Sequence, residues 1–143
     1  MEIIEKFICG KNMASDKNED ALLITCNFIA VIDGVTAKNA RAFDGSTGGR
    51  RASEKICEAI ALFEEDITAR EAVDKITDKV SELYEVNEPK GAAAAGAIIF
   101  SKLRNEIWSI GDCQCLINGK LFTDEKEIDS NPEIVPYIDT DTE

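Results

Sequence analysis

Short apolar runs stand near both ends of the chain, and two longer stretches with helical spacing separate them. Short runs that are rich in branched and aromatic side chains and bounded by turn residues are typical of strands. They predict three strands before the helices and four after them, at residues 2–9, 21–25, 28–32, 91–100, 107–110, 113–117 and 121–123.

Two pairs of these runs predict hairpins. Only Cys26 and Asn27 separate residues 21–25 from residues 28–32, and Asn118-Gly119 separates the last two runs. Asn-Gly is a strong signal for a type I′ turn, since both central residues of that turn need a positive φ. The run at 28–32 is apolar throughout, which predicts a strand that is buried on both faces.

The middle of the chain predicts two amphipathic helices. Over residues 50–63, apolar side chains recur at spacings of three and four, at Ala52, Ile56, Ala59, Ile60 and Phe63. Thr68 and Glu71 then form a T-x-x-E capping box, in which each side chain satisfies a free backbone N–H of the first turn. The apolar stripe of this second helix is Val73, Ile76, Val80, Leu83 and Tyr84. Residues 88–91, Glu-Pro-Lys-Gly, end it.

This order of elements predicts an α+β fold, in which a pair of helices covers one face of a mainly antiparallel sheet. We place the domain at residues 1–123. Residues 124–143 are acidic and are interrupted by Pro132 and Pro136, so we expect no clear further element there. The sheets of the fold would then be incomplete within this chain.

Composition restricts the partners of the protein. The chain has 143 residues, the size of one domain, and a formal net charge of −12, which disfavours nucleic acid as a general partner. The same charge would repel a phosphorylated substrate unless a bound divalent cation offset it. No apolar run approaches the roughly 18 residues of a membrane helix, and the charged Glu2, Glu5 and Lys6 do not fit a signal peptide. We therefore expect a cytoplasmic protein that binds no membrane.

Cysteine and histidine usage narrows the possible chemistry further. Five cysteines without framework spacing fit small apolar residues in a reducing compartment. The sequence contains no histidine, which excludes Ser-His-Asp and Cys-His mechanisms as well as histidine-based zinc sites. Any catalysis must use carboxylates, hydroxyls, thiols, Lys or Arg, together with a hard metal ion.

Acidic residues follow or precede predicted strands at three places: Asn18-Glu19-Asp20, Asp33-Gly34 and Gly111-Asp112. Carboxylates at strand ends can converge on one edge of a sheet, and oxygen ligands suit Mg²⁺ or Mn²⁺. Gly34 lets the backbone approach closely and offers its carbonyl as a ligand. Each feature also has a plainer interpretation, as an ordinary turn or as solvated acids, and that alternative stays open.

Four strings in order resemble the successive motifs of the type 2C (PPM) metal-dependent protein phosphatases. The family pattern is roughly N-[EQ]-D-A, a hydrophobic strand ending in D-G, a small-residue strand, and a hydrophobic strand ending in G-D-S. The strings in this chain are residues 18–21 (NEDA), 28–34 (FIAVIDG), 95–100 (AGAIIF) and 108–113 (WSIGDC). The resemblance covers most of the chain up to about residue 123.

The resemblance implies a two-layer β-sandwich flanked by helix pairs, with a binuclear Mg²⁺ or Mn²⁺ centre at one end. Asp33 would bridge the two metals and the Gly34 carbonyl would bind one of them. Glu19 and Asp20 would serve that metal directly or through water, and Asp112 would lie nearby as a ligand of an extra metal. Asp33 and Glu19 would be the catalytic residues. The implied reaction is hydrolysis of phosphoserine or phosphothreonine in a phosphorylated protein by a metal-activated water.

The chain departs from the family pattern at three points. Ser15 stands where the family has a phosphate-binding Arg, and Lys17 is a substitute for it. The loop after Asp33-Gly34 carries no histidine. Two further metal-binding aspartates come from the family's C-terminal third, and Asp139 and Asp141 lack their sequence contexts. The resemblance therefore predicts an incomplete metal site in these 143 residues, and the oligomeric state stays open.

Two other interpretations compete with this one. The Gly-rich stretch at residues 44–51 precedes a predicted helix and could bind phosphate through its backbone N–H groups, although a plain loop and helix start is the favoured interpretation. The chain could also be a non-catalytic phosphatase-like module that binds a partner protein, since it lacks the Arg and the histidine of the family.

Overall fold

Two helices and seven strands form the described part of the chain. The computed structural model describes residues 1–10, 18–38, 40–88, 91–123 and the backbone of residues 135–138. In chain order the elements are β1 (Ala21–Ile24), β2 (Phe28–Val35), α1 (Gly48–Ala61), α2 (Ala69–Ser81), β3 (Ala94–Ser101), β4 (Glu106–Ile110), β5 (Cys115–Ile117), β6 (Lys120–Phe122) and β7 (Val135–Ile138).

One antiparallel sheet organises these elements. Its strand order is β1-β2-β3-β4-β7, and every neighbouring pair in it is antiparallel. Strands β5 and β6 form a separate two-stranded ribbon. The mixed α+β class and the antiparallel sheet with two helices are therefore confirmed. The second layer of a β-sandwich is not tested by this arrangement and stays a prediction.

The helices lie on one face of this sheet. Phe28, Ala30 and Ile32 of β2 are buried on that face, where they join Ile56 and Ile60 of α1 in the main core. Residues between them point the other way, so β2 alternates between buried and exposed positions. The prediction that β2 is buried on both faces is wrong, because Val31 on the opposite face is 54% exposed.

Aromatic side chains fill the centre of the core. Trp108 of β4 is 1% exposed, and its ring centroid lies 6.0 Å from that of Phe28. Phe28 also meets Phe63 edge to face, at 5.5 Å between centroids. The indole Nε1 donates a hydrogen bond of 2.8 Å to Glu106, which satisfies the polar edge of the buried ring.

Both helices begin at a capping threonine. The Thr68 hydroxyl accepts a hydrogen bond from the Glu71 N–H, and the Glu71 carboxylate accepts one from the Thr68 N–H, which confirms the predicted capping box. Thr47 caps α1 in a similar way through the Arg50 N–H, so α1 begins two residues earlier than predicted. The glycines at its start fit there because a Cβ on Gly48 would collide with the Ala92 carbonyl.

The predicted strand at residues 2–9 is wrong. Residues 1–10 carry no regular secondary structure, and the side chains of Ile4 and Phe7 are 94% and 82% exposed. A strand needs a neighbour to satisfy its backbone groups, and β1 pairs only with β2 in the described residues. Apolar composition without a pairing partner is therefore not enough to make a strand.

The expectation that residues 124–143 hold no further element is also wrong. Residues 135–138 form β7, which pairs with β4 and places Pro136 opposite Trp108. Proline lacks an N–H and is confined to edge strands, and β7 occupies an edge of the sheet. A four-residue strand that contains proline gives little signal in sequence.

Other local predictions agree with the structure. Asn118 and Gly119 have φ values of 49° and 79°, as the type I′ turn between β5 and β6 requires. The strands predicted at 21–25 and 28–32 form the antiparallel pair β1–β2. No disulfide joins any of the five cysteines, all of which lie in described residues. Neither described helix has the length and apolar character that crossing a bilayer requires.

Candidate metal centre

The register of the sheet brings three acidic segments together at one end of its central strands. We call this end of the strands the acidic edge. Ala21 of β1 pairs with Ile32 of β2, so Asp20 and Asp33 follow as neighbours at the next position. Asp33 itself pairs with Gly96 of β3. Because β3 also pairs with β4, the turn that follows β4 reaches the same edge and carries Asp112.

Close backbone packing brings this turn against β3. Gly111 has a φ of 80°, a conformation that favours glycine. A Cβ atom on Gly111 would lie 3.1 Å from the Gly96 Cα, and one on Gly96 would lie 3.1 Å from the Cys113 Sγ. Two glycines in contact therefore allow Asp112 to approach the strand pair that holds Asp33.

Electrostatics show that the acidic side chains act on one another. The pKa of Asp33 is raised, first by partial burial, then by a side-chain hydrogen bond with Asp20, and then by the negative charges of Asp20, Asp112 and Glu19. Like charges that crowd a carboxylate disfavour its ionised form. The charges of Asp20, Asp112 and Glu19 therefore all act on Asp33, so the other three carboxylates that the sequence singles out lie within electrostatic range of this residue.

Glu19 is held against the start of α1. Its carboxylate accepts a hydrogen bond of 2.7 Å from the Thr36 hydroxyl, which in turn accepts one of 2.8 Å from the Gly49 N–H. The Ser53 hydroxyl donates a 2.5 Å hydrogen bond to the Glu19 carbonyl. A negative charge at a helix N-terminus is favourable, so Glu19 also stabilises the junction between β2 and α1.

Gly34 has a packing role that its predicted turn does not explain. The strand β2 continues through Asp33 and Gly34 to Val35, so the predicted end of this strand at residue 32 is wrong. A Cβ on Gly34 would collide with the carbonyl oxygens of Glu19 and Gly49. Glycine is therefore required where three backbone segments cross, and the predicted metal contact of its carbonyl stays a prediction.

An open pocket of about 440 Å³ lies at this edge. Its lining consists of Cys9, Asn18, Glu19, Asp20, Asp33, Gly34, Val35 and Thr36. Among the described residues of this lining, three side chains are acidic and none is basic, so this part of the pocket favours a cation over an anion. We call it the acidic pocket.

The donors of the acidic pocket fit a hard divalent cation in kind. Carboxylate and carbonyl oxygens are the ligands of Mg²⁺ and Mn²⁺, and a cation would relieve the repulsion that raises the pKa of Asp33. In residues 1–10, 18–38, 40–88 and 91–123, however, no three acidic or thiol side chains already form a metal-binding group. A bound ion would require side-chain adjustment, with water at its remaining positions.

Some residues at this edge were not found from sequence. Thr36 and Ser53 hold Glu19, and Cys113 lies beside Asp33. Burial, followed by the charges of Asp33 and Asp112, raises the pKa of the Cys113 thiol to about 11, so the thiol is protonated at neutral pH. Thr36 and Ser53 stand 17 and 34 positions from Glu19 in the sequence, so no local spacing pattern points to them.

Several predicted features lie outside the described residues. These are the proposed substrate-binding Lys17, the Ser15 that replaces the family arginine, and the aspartates at 139 and 141.

Neither the protein-family models nor the curated proteins compared with this chain contain a match. The phosphatase resemblance therefore depends on the four sequence motifs and on the geometry of the acidic pocket.

Proposed function

We propose that this chain is a metal-dependent phosphomonoester hydrolase of the type 2C kind, acting on phosphoserine or phosphothreonine in proteins. The observation that carries the proposal is that Glu19, Asp20 and Asp33 line one pocket, while the turn that carries Asp112 packs against β3 beside Asp33. These four carboxylates come from three separate segments whose order matches the motifs of that family.

Each residue has a proposed part in holding the ions. Asp33, at the centre, would contact both cations of a Mg²⁺ or Mn²⁺ pair, and Asp20 and Asp112 would flank it. The Gly34 carbonyl would face one ion, and Glu19 would be held in place by Thr36. The bound cations would supply acidity to water and offset charge on the phosphoryl group.

The charge of the protein makes the cations necessary for this function. With a formal net charge of −12 and three acidic residues lining the pocket, the chain would repel a phosphate dianion. Thr36 holds the Glu19 carboxylate, and Ser53 holds the Glu19 backbone carbonyl. We accordingly propose a phosphorylated protein substrate and no nucleic acid or membrane partner.

The direct test is Mn²⁺-dependent hydrolysis of p-nitrophenyl phosphate by the full natural chain. We expect activity that needs the metal and that falls to background in Asp33→Asn. Asp74→Asn is the matched control, because Asp74 is an exposed aspartate on α2, and it should keep the wild-type rate. Activity that survives in Asp33→Asn would refute the assignment of the centre.

A non-catalytic module that binds a partner protein is the second candidate function. It is favoured by the lack, within the described ranges, of three acidic or thiol side chains that already form a metal-binding group. Under that function, no divalent metal would produce hydrolysis, and Asp33→Asn would leave partner binding intact.

A further inference from the structure

Strand β1 leaves one side of its backbone free. It lies at one edge of the five-stranded sheet and, among the described residues, pairs only with β2. The Thr25 N–H donates a 2.8 Å hydrogen bond to the Phe28 carbonyl, and the antiparallel ladder alternates from there. The N–H and C=O groups of Leu22 and Ile24 therefore point away from β2, and no other described segment bonds to them. We call these groups the free edge of β1.

The free edge of β1 lacks the features that protect an edge strand. Natural proteins blunt such edges with charged side chains, proline or bulges. Residues 21–24 are Ala, Leu, Leu and Ile, and their register with β2 is continuous. The opposite edge of the sheet differs, because β7 carries Pro136. The free edge of β1 is therefore a template on which a further strand can pair.

Residues 2–8 have the sequence of a strand but no strand partner. Their apolar composition is typical of a strand, yet no backbone hydrogen bond joins them to another described residue. Four of the seven side chains are large and apolar, and all four are exposed: Ile3 by 42%, Ile4 by 94%, Phe7 by 82% and Ile8 by 47%. A contiguous apolar surface of this kind marks a place where a partner binds. We call residues 2–8 the apolar arm.

The apolar arm and β1 match each other on both faces of a strand. In β1, Ala21 and Leu23 pack against the main core, whereas Leu22 and Ile24 lie on the open face of the sheet. Successive side chains of an extended segment point to opposite faces. The arm then has one apolar pair on each face, Ile3 with Phe7 and Ile4 with Ile8. A strand that continues the sheet beyond β1 needs this two-sided apolar pattern.

Within one chain, the apolar arm does not pair with the free edge of β1. Cys9, directly after the arm, lines the acidic pocket together with Asp20, the residue before β1. To reach Leu22 and Ile24 of its own chain, the arm would have to fold back along β1, and it lies exposed to solvent instead. A second copy has the same free edge and an arm of its own. Reciprocal exchange of two identical segments closes into a two-fold dimer.

We propose that this protein forms an arm-exchanged dimer, in which the apolar arm of each copy pairs as a strand with the free edge of β1 of the other copy. The exchange extends each five-stranded sheet by one strand and covers Ile4 and Phe7. Backbone hydrogen bonds to Leu22 and Ile24 hold the arm, and its apolar side chains add buried area. This inference concerns a surface outside the acidic pocket and does not depend on the proposed hydrolysis.

Sedimentation equilibrium of the full natural chain in EDTA tests the dimer. We expect twice the mass of one chain, and a dimer dissociation constant about tenfold or more higher when Ile4→Ser and Phe7→Ser are combined. Both side chains are exposed in the single chain, so these substitutions should leave its fold intact. Val86→Ser is the matched control, since Val86 is 91% exposed and lies after α2. The mass of a single chain at NMR concentrations, or an equal weakening in the Val86 variant, would overturn the proposal.

Hydrogen exchange distinguishes strand pairing from other kinds of association. In the dimer, the amides of Leu22 and Ile24 should be protected, and the arm variant should lose this protection while Ala30 in the centre of the sheet keeps it. Leu22→Pro removes one outward N–H and keeps the ladder with β2, so it should weaken the dimer as well. A dimer whose Leu22 and Ile24 amides exchange freely would contradict the arm exchange. Protection of these amides in a protein with the mass of one chain would show that the arm pairs within its own chain, and would equally refute the proposal.

Discussion

The helix-covered face of the sheet and its acidic edge are built on opposite principles. On the covered face, Phe28, Ile32 and Trp108 are buried against apolar neighbours, and the indole N–H of Trp108 has its hydrogen bond to Glu106. At the acidic edge, the pKa of Asp33 is raised, first by partial burial and then by the neighbouring carboxylates of Asp20, Asp112 and Glu19. The first arrangement stabilises the fold, and the second leaves repulsion that a ligand can relieve. Functional sites commonly depart from local stability in this way.

The largest expected effect is on the free energy of unfolding, and it differs between the two faces of β2. Ile32→Ala removes a fully buried side chain and should reduce the free energy of unfolding by about 2–5 kcal/mol. Val31→Ala, one residue earlier on the open face, should change it by about 0.5 kcal/mol or less. Urea unfolding, followed by the fluorescence of the single tryptophan, measures both values. Similar losses in the two variants would mean that something covers the open face.

At the acidic edge we expect a smaller change in the free energy of unfolding, and there the substitution should increase stability. Asp33→Asn removes the crowded charge and should stabilise the metal-free protein at pH 7 by about 1 kcal/mol or less, since the side chain is exposed and screened. Thermal unfolding in EDTA measures this as a rise in Tm of roughly 2–4 °C. Asp74→Asn should leave the Tm unchanged. A lower Tm in Asp33→Asn would show that its carboxylate stabilises the fold.

The Tm difference between Asp33→Asn and the wild type should depend on pH, because the pKa of Asp33 is raised in the folded state. The folded-state pKa of Asp33 lies above its ordinary value of 3.8. The folded state therefore favours the protonated form of Asp33. The stability that this protonated carboxyl contributes is fully present below pH 3.8 and is lost as pH rises through the raised pKa. The Tm advantage of Asp33→Asn should vanish at low pH and be complete at neutral pH. An advantage that does not change with pH would exclude charge repulsion as the cause.

The smallest expected effect is on the reactivity of the Cys113 thiol, which lies at the same edge. With its pKa raised to about 11, Cys113 has a thiolate fraction about a hundredfold below that of an ordinary thiol with a pKa of 9.0. Cys26 is exposed and should react with a disulfide reagent at pH 7.5 well before Cys113. Mass spectrometry of partly labelled protein gives the order of reaction. Early labelling of Cys113 would contradict the burial described for it.

Much of the fold can be predicted from sequence where the signal is local. The capping box at Thr68 and Glu71 and the Asn118-Gly119 turn depend on a few adjacent residues, and both are present. Strand pairing depends on distant residues. For that reason residues 2–9 look like a strand and form none in the structure, whereas residues 135–138 pair with β4 despite a proline.

In the candidate site, too, features with a local sequence signal can be predicted and features that depend on distant residues cannot. The acidic residues of the centre can be chosen from sequence because each stands next to a predicted strand, although β2 in fact continues past Asp33 to Val35. Their support cannot, since Thr36, Ser53 and Gly49 meet Glu19 only after α1 packs against β2.

Mn²⁺ relaxation in the NMR spectrum tests the central claim most directly. A bound paramagnetic ion should broaden the amide signals of Asp20, Asp33, Gly96 and Gly111 first, excess Mg²⁺ should restore them, and Asp33→Asn should abolish the effect while Asp74→Asn preserves it. Broadening that is absent, that spreads over all acidic surfaces alike, or that persists in Asp33→Asn would contradict a metal centre at this edge of the sheet.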